Sequence, residues 1–289
     1  MGYEPNGNDP NVSRIPDWSP PGHYYSPIVN LNDVRGKHSQ VFDRSKNTIP
    51  GVDLRRLEQL ALLDTLEKYY PELPFPENPQ AGNRYYLKNE WFSHSDATCL
   101  YLMMRNLRPK RIIEVGSGFS SSAILDVAER FIPEIELTFI DPDTARLFSL
   151  IHKKDLGNIH VISENIQNID IERFGILESN DILFIDSSHV VKTASDVNFL
   201  VLDVLPMLRS GVRVHFHDIF FPFEYPEQWV YEGWAWNEAY LLRSFLMYNQ
   251  AFQIELFPSM LQYQHASVLS NRMPLLMQSP ASSLWLRRI

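Results

Sequence analysis

Cysteine is nearly absent from this 289-residue chain, which contains only Cys99. A single thiol cannot form an intrachain disulfide, so we expect a protein of the reducing cytoplasm. Cys99 directly precedes the apolar run Leu100–Met103 and is expected to pack rather than to react. The chain also lacks a basic segment followed by an apolar core near its start, and it has no apolar run of about 18 residues. We therefore expect neither a standard secretory signal nor a membrane-spanning helix.

Positive charge is also scarce, because 26 Lys and Arg face 35 Asp and Glu, and the formal net charge is −9. No stretch rich in Lys or Arg is present to follow a phosphate backbone, so nucleic acids are not expected partners. Small molecules are the expected partners. The sequence does not decide between a monomer and a homo-oligomer. With 44% hydrophobic residues the chain can bury a sizeable core, which excludes a disordered protein.

Proline divides the chain unevenly. Seven of the 20 prolines lie at or before Pro50. This spacing breaks long helices and central strands, so residues 1–52 are predicted to form an irregular arm on the protein surface. Its expected docking side chains are Trp18, Tyr24, Tyr25, Ile28 and Val29. The arm is either a passive extension or a lid that contacts substrate.

Residues 53–108 are predicted to form a helical extension packed on the core. Apolar residues recur at helical spacing from Asp53 to Tyr70, with Asp53 as the expected N-cap. A second helix is predicted from Asn89 to Leu107, where Pro109 ends the pattern.

Residues 109–289 alternate short apolar runs with helical segments, which predicts an α/β fold with a doubly wound, Rossmann-like sheet. Five parallel strands are expected at 111–115, 136–140, 159–162, 181–185 and 212–216, with helices at 119–131, 143–153, 193–208 and 236–249. Strands near 252–257 and 264–270 are predicted to add a C-terminal antiparallel hairpin. The sheet would then be mostly parallel and have seven strands.

The first predicted strand ends in a glycine-containing loop that opens a helix. Gly116 and Gly118 in the run EVGSGFSS permit close approach of a ligand, which favours a nucleotide-like molecule. Ser121 stands where a dinucleotide motif needs a third glycine or an alanine, which argues against NAD. Asp141, at the end of the second strand, is expected to bind a ribose diol or to cap the next helix. Asn165 and Ile166 are candidates to hold an adenine ring.

Acidic residues and histidines follow the fourth and fifth predicted strands. Asp186 and His189 belong to the run DSSH, and His217 and Asp218 end the run HFHD. Because the ends of neighbouring parallel strands meet at one crevice, these side chains are expected to surround one point. They are candidates for a divalent metal site or for acid–base catalysis. His215 is expected to be a core histidine. Glu238 either faces the pocket or, by preference, favours a helix N-terminus.

The chain resembles the class I S-adenosylmethionine-dependent methyltransferases, in the branch of macrocin-type O-methyltransferases and cephalosporin-hydroxylase-like proteins. The resemblance covers about residues 85–270, with the matching runs RIIEVGSGFSSS, FIDPD, DILFIDSSH and GVRVHFHDIFFP. It implies S-adenosylmethionine as cofactor. The cofactor residues that we expect are Glu114, Gly116, Gly118 and Ser120 in the loop, Asp141 at the ribose, and Asn165 with Ile166 at the adenine.

The resemblance also implies methyl transfer to a hydroxyl of a small molecule, either a sugar or a natural-product scaffold. Asp186, His189 and His217 are the expected catalytic residues, and Asp186, His217 and Asp218 the expected metal ligands. The resemblance implies acidic residues at both strand ends that often hold magnesium, and here His217 stands where a carboxylate is expected. Ligation by oxygen alone would suit magnesium, whereas ligation by histidine would favour manganese, iron or zinc. The aromatic loop 220–236 would line the acceptor side or cover the sheet end. A metal-dependent hydroxylase and a non-catalytic cofactor-binding scaffold are the alternative functions.

Overall fold

The computed structural model describes residues 19–289. The strands are β1 (Arg111–Val115), β2 (Glu136–Ile140), β3 (Ile159–Ile162), β4 (Ile182–Ile185), β5 (Arg213–Phe216), β6 (Phe252–Leu256) and β7 (Leu284–Arg288). The α-helices are α1 (Leu31–Gly36), α2 (His38–Val41), α3 (Arg56–Leu66), α4 (His94–Leu107), α5 (Phe119–Phe131), α6 (Ala145–Leu150), α7 (Asp196–Asn198), α8 (Leu205–Met207), α9 (Glu227–Tyr231), α10 (Glu238–Leu246), α11 (Pro258–Gln264) and α12 (Ala266–Arg272). Short 3₁₀ segments cover Glu67–Glu72, Lys153–Gly157, Ile166–Asn168, Ile171–Ile176 and Pro274–Met277, and a π-helical segment covers Phe199–Val204.

The seven strands form one sheet in the order β3-β2-β1-β4-β5-β7-β6. Strands β1 to β5 are parallel, whereas β7 runs antiparallel to both β5 and β6. This confirms the predicted Rossmann-like fold. The strand order reverses direction between β1 and β4, so the loops that follow these two strands border one crevice at the carboxyl edge of the sheet.

The parallel strands form because their apolar runs are buried on both faces. All four residues of β4 are buried, and so are the last four of β1. Since successive side chains of a strand point to opposite faces, helices must cover both sides of the sheet. Among residues 19–289, none of the helices combines the length and the apolar character that a bilayer-spanning segment requires.

The predicted position of the last strand was wrong. Residues 264–270 lie at the end of α11 and in α12, and β7 lies instead at Leu284–Arg288. The buried apolar residues of α11 and α12 and of the position after them, Met260, Leu261, Leu269 and Met273, recur at helical spacing. Leu284, Trp285 and Leu286 are all buried, as suits a strand inserted between two others.

The arm docks through polar contacts, and the predicted docking by Tyr24 and Tyr25 was wrong. These rings are 82% and 61% exposed, and Trp18 lies outside the described residues. The Arg44 guanidinium instead donates to the backbone carbonyls of Phe221, Glu224 and Tyr225 at 2.6, 2.8 and 2.9 Å. Irregular loops leave carbonyl groups without partners, and a guanidinium can satisfy several of them at once.

Both helices of the helical extension begin later in the chain than predicted. Asp53 does not cap α3, because its carboxylate accepts from the Arg55 amide in a turn that precedes the helix. The helix predicted from Asn89 begins at His94, because the Asn89 side chain bonds the amides of Trp91 and Phe92 and holds a turn. Buried residues of the extension and of the sheet belong to one continuous hydrophobic core.

Candidate functional site

The loop after β1 requires glycine at position 116. Gly116 has a φ of +84°, and a Cβ atom there would lie 1.7 Å from the backbone oxygen of Asp186. The backbone of the β1 loop therefore touches the backbone that follows β4, which no side chain would permit. Gly118 packs against the aliphatic part of Arg146, and its amide donates to Ser121 Oγ at 3.0 Å.

Glu114 lies fully buried beneath this loop. The Ser121 hydroxyl donates to Oε2 of Glu114, whereas Oε1 has no hydrogen-bond partner among residues 19–289. Burial raises the pKa of Glu114 to about 8, although the neighbouring hydroxyl groups of Ser120 and Ser121 oppose the rise. A buried carboxyl oxygen without a partner is costly for the folded protein. The site therefore fits a ligand that carries a hydrogen-bond donor or a positive charge.

A cavity of about 380 Å³ opens at the carboxyl ends of β1, β2 and β3. Gly116, Asp141, Asn165 and Ile166 all line it, as does Asp186 from the loop after β4. Glu114, Gly118 and Ser120 do not line it, and Ser120 is buried at 3% exposure. The structure thus brings four of the seven predicted cofactor residues to one cavity, with Glu114 below its glycine loop.

Asp141 organises the wall of this cavity. Its carboxylate accepts from the Ser117 amide at 2.7 Å and from the Asp143 amide at 2.8 Å. The first bond joins the end of β2 to the β1 loop, and the second forms the turn before α6. A carboxylate offers about four lone-pair positions, so Asp141 retains capacity to accept from a diol.

Three side chains meet beside the cavity, and we refer to Asp186, His189 and Asp218 as the acidic cluster. Nε2 of His189 lies 3.3 Å from Asp186 and 3.6 Å from Asp218. Ligand atoms of all three residues lie within 4.8 Å of one another. His189 and Asp218 both adopt positive φ, at 60° and 56°. Such backbone conformations are uncommon outside glycine, and they concentrate at functional sites.

His189 is fixed by a residue that sequence reasoning assigned to another role. Nδ1 of His189 bonds Glu238 Oε2 at 2.9 Å, and Glu238 is 1% exposed. Glu238 is also the first residue of α10, so the predicted helix-terminal position is right but incomplete. No local pattern could reveal the pairing, because 49 residues separate the two side chains.

The electrostatics of the acidic cluster differ from one group to the next. Burial would lower the pKa of His189, but the hydrogen bonds with Asp186 and Glu238 raise it well above its usual range. Burial also raises the pKa of Asp218, and neighbouring histidine charges offset this only in part. For Asp186, the charges of His217 and His189 outweigh burial and lower its pKa. Of the two aspartates, Asp218 therefore holds a proton more readily.

His217 lies to one side of the acidic cluster. Its Nε2 is 3.8 Å from Asp218 and 3.4 Å from the hydroxyl of Ser282, which donates to Asp96 at 3.0 Å. Burial disfavours the charge on His217, but the carboxylates of Asp218, Asp186 and Asp96 raise its pKa. The geometry therefore places His189 between the two aspartates, where the sequence suggested His217.

His215 behaves as the core residue that alternation along β5 predicts. It is fully buried, and its ring stacks on Phe184 with centroids 3.8 Å apart. Burial lowers its pKa well below the usual range, so it is neutral.

Two carboxylates and one imidazole form a donor set suited to a divalent ion. The second nitrogen of His189 is bonded to a buried carboxylate, as is usual for histidines that ligate metals. This observation shows that the acidic cluster fits such an ion.

The aromatic loop 220–236 lies beside His189. The rings of Trp236 and His189 have centroids 4.3 Å apart, and Trp236 packs on Trp229 and Trp234 at 5.3 and 4.9 Å. The Asn237 amide donates to the His189 carbonyl at 3.1 Å. Movement of this loop would therefore move the acidic cluster.

Comparison with known proteins places the crevice within a described domain. The family model described as "Methyltransferase domain" matches residues 113–219, which contain the glycine loop and the acidic cluster. An uncharacterized protein of Archaeoglobus fulgidus is 36% identical over 168 residues, which cover 56% of this chain and 74% of that protein.

Solved structures give weaker likenesses. A form of CmcI with Mg and SAM shares 18% identity and a TM-score of 0.43, over 91% of this chain and 97% of that chain. The O-methyltransferase TomG of Streptomyces achromogenes, solved with SAM, shares 13% identity and a TM-score of 0.40, over 90% of this chain and 96% of that chain. Scores at this level identify neither an acceptor nor a metal for this chain.

Proposed function

Because the chain belongs to the class I methyltransferase family, we propose that it transfers a methyl group from S-adenosylmethionine to a hydroxyl oxygen of a small molecule. The observation that carries this proposal is the contact between the glycine loop and the acidic cluster, since Gly116 touches the backbone of Asp186. A donor bound at the loop would thereby present its methyl group to an acceptor held at the cluster.

The cofactor fits the residues around the loop. S-adenosylmethionine carries an ammonium group, a ribose diol, an adenine and a methyl group activated by a sulfonium. The unpartnered Oε1 of Glu114 suits the ammonium, and Asp141 suits the diol. Asn165 and Ile166 line the far part of the same cavity, where they would hold the adenine edge and face.

The acidic cluster is the proposed destination of the acceptor's proton. As the new oxygen–carbon bond forms, the hydroxyl proton has to leave, and a positioned base accelerates this step. We assign this role to Asp218, since burial raises its pKa above that of Asp186. His189, protonated because of its carboxylate partners, would orient the hydroxyl through Nε2. This assignment replaces His189 and His217 as the expected bases.

A divalent ion at Asp186, His189 and Asp218 would replace this arrangement, because Nε2 of His189 has to lose its proton before it can ligate a metal. When bound, such an ion lowers the pKa of a coordinated hydroxyl. Neither the hydroxylase alternative nor the scaffold alternative is favoured by any observation on the described residues.

The cofactor assignment is tested by calorimetry with S-adenosylhomocysteine, the demethylated product. Asp141→Ala should weaken binding by about 1–3 kcal/mol because the ribose hydrogen bonds are lost. Asp143→Ala is the matched control, since Asp143 is exposed and accepts from the Ala145 amide only. Absence of binding by the unmodified protein would refute the proposal, and equal affinities for both variants would refute the role of Asp141.

The acidic cluster is tested by methyl transfer from labelled S-adenosylmethionine to a panel of hydroxylated small molecules. Asp218→Asn should abolish turnover and leave S-adenosylhomocysteine affinity nearly unchanged, whereas Asp203→Asn, on an exposed helical surface, should retain turnover. If a metal is required, a chelator should remove turnover in the same way and Asp186→Asn should prevent metal binding. Full turnover of both cluster variants in chelator would eliminate the cluster as the reaction centre.

A further inference from the structure

A second and larger cavity, of about 600 Å³, lies between the N-terminal arm and the aromatic loop. We call it the arm cavity. One wall comes from residues 21–41 and the other from residues 224–240, and the side chains that dominate it are Ile28, Val29, Val34, Trp234, Trp236 and Tyr240. Its volume lies within the range of pockets that enclose small organic molecules, on the order of 300–1,000 Å³.

The two walls are tied together by polar contacts. Arg44 donates to three carbonyls of the loop, and His38 Nε2 lies 2.9 Å from the carboxylate of Glu227 in the same loop. Within the arm, the Gly22 amide donates to the Ile28 carbonyl at 3.0 Å. The bonds of Arg44 and His38 therefore fix the arm against the loop, with the cavity between them.

The arm cavity adjoins the acidic cluster. Trp236 forms part of its inner wall and contacts the His189 ring at 4.3 Å. Asn237, also in the wall, donates through its backbone amide to the His189 carbonyl and accepts from the Val191 amide at 2.5 Å. A molecule seated in the cavity would therefore rest against the residues that set the position of His189.

The charge of the walls restricts the occupant. Among residues 19–289, Glu224 is the one charged residue that lines the arm cavity, and its carboxylate accepts from the Tyr240 hydroxyl at 2.5 Å. No Lys or Arg lines it within the described part of the chain. An anion needs a positive partner, which no lining residue among residues 19–289 supplies. A sugar needs many polar partners, whereas most of the lining residues are apolar or aromatic. Flat aromatic walls instead suit an apolar ring system.

We propose that the arm cavity binds the carbon skeleton of the methyl acceptor, and that this acceptor is an uncharged or cationic hydroxylated ring system. The inference rests on the proposed methyltransferase function and narrows it, because it favours a ring scaffold over a sugar. It also gives the arm a direct part in acceptor binding through Ile28 and Val29.

The test uses naphthol and its ring-sulfonated derivative as probes, with binding measured by calorimetry on the protein loaded with S-adenosylhomocysteine. Naphthol should bind, and the sulfonate should bind at least roughly tenfold more weakly because of Glu224 and the apolar walls. Ile28→Trp should fill the cavity and reduce naphthol affinity by roughly tenfold or more. Leu57→Trp is the control, since Leu57 is 79% exposed on α3. Glu224→Gln should reduce the difference in affinity between naphthol and its sulfonate, because it removes the negative charge of the carboxylate.

Several results would overturn the inference. It fails if naphthol does not bind, if the sulfonate binds equally well, or if Ile28→Trp binds naphthol like the control. If Ile28→Trp alters the melting temperature, Trp234→Ala replaces it, because Trp234 is 42% exposed and its removal should also weaken naphthol binding. If the protein binds S-adenosylhomocysteine but not naphthol, the proposed acceptor class is refuted and the proposed methyltransferase function is not. Absence of S-adenosylhomocysteine binding refutes the proposed function itself.

Discussion

Replacing Glu114 by glutamine tests whether the Glu114 carboxylate destabilises the folded protein but is required for binding a ligand. Glu114 is fully buried, its Oε1 has no hydrogen-bond partner in the described part of the chain, and burial raises its pKa from 4.5 to about 8. Between these two pH values the folded protein keeps a proton that the unfolded chain has already released. The free energy of unfolding therefore falls as the pH rises through this window.

The magnitude follows from the pKa itself. At about 1.4 kcal/mol for each pKa unit, the charged form of Glu114 is destabilised by about 5 kcal/mol. This destabilisation lowers the free energy of unfolding of the unmodified protein in part at pH 5.5 and almost fully at pH 8.5. The difference in free energy of unfolding between Glu114→Gln and the unmodified protein should therefore grow by about 3 kcal/mol between these pH values, in favour of the variant. Glutamine keeps the shape and can still accept from Ser121, so the change isolates the charge.

Urea unfolding at pH 5.5, 7.0 and 8.5 measures this difference in stability. Calorimetry with S-adenosylhomocysteine measures the loss of ligand affinity that should accompany the gain in stability. A hydrogen bond to a charged group contributes about 1.5–3 kcal/mol, so the variant should bind the ligand roughly 10- to 150-fold more weakly. Parallel stability profiles for the two proteins would refute the raised pKa. A variant that is more stable but binds equally well would show that Glu114 does not contact the ligand.

Two further predictions concern the loop and its support. Gly116→Ala should abolish S-adenosylhomocysteine binding in calorimetry, because its Cβ would overlap the Asp186 carbonyl, whereas Gly82→Ala, at φ +92° but in open space, should suffer backbone strain alone. The buried Arg84 guanidinium pairs with the buried carboxylates of Asp126 and Asp155 at 2.8 and 2.6 Å. Arg84→Leu should lower the free energy of unfolding by about 3–5 kcal/mol, because both carboxylates lose this positive partner. The exposed Arg209→Leu should change it by less than about 0.5 kcal/mol, and equal losses in urea unfolding would contradict the buried ion cluster.

The parallel half of the fold could be predicted because its signals are local. Strands β1 to β5 are short apolar runs bounded by breakers, and each was placed to within one residue of its observed bounds. The carboxyl-edge rule then brings Asp186 and Asp218 together without further information. Chain topology alone thus predicted most of the acidic cluster.

The failures share a different cause, since each depends on partners distant in the chain. Strand β7 lies between β5 and β6, so its burial depends on neighbours that its own sequence does not reveal. Glu238 looks like an ordinary helix-terminal acid until α10 is placed against His189. Tyr24 and Tyr25 are large aromatic residues, which often dock a segment on a protein surface, but both are exposed. Arg44 contacts the aromatic loop instead, because its guanidinium can donate to the backbone carbonyl groups there.

The insertion of β7 between two earlier strands has a consequence for the order of folding. During synthesis β5 and β6 emerge before β7. Until β7 arrives, β5 pairs with β4 on one side only and β6 has no partner strand, so one edge of β5 stays open. The segment leading into β7 also supplies Ser282, whose carbonyl accepts from Ile219 and whose hydroxyl joins Asp96 to His217. The wall of the crevice beside His217 is therefore completed only when this late strand enters the sheet, after the glycine loop can already have formed.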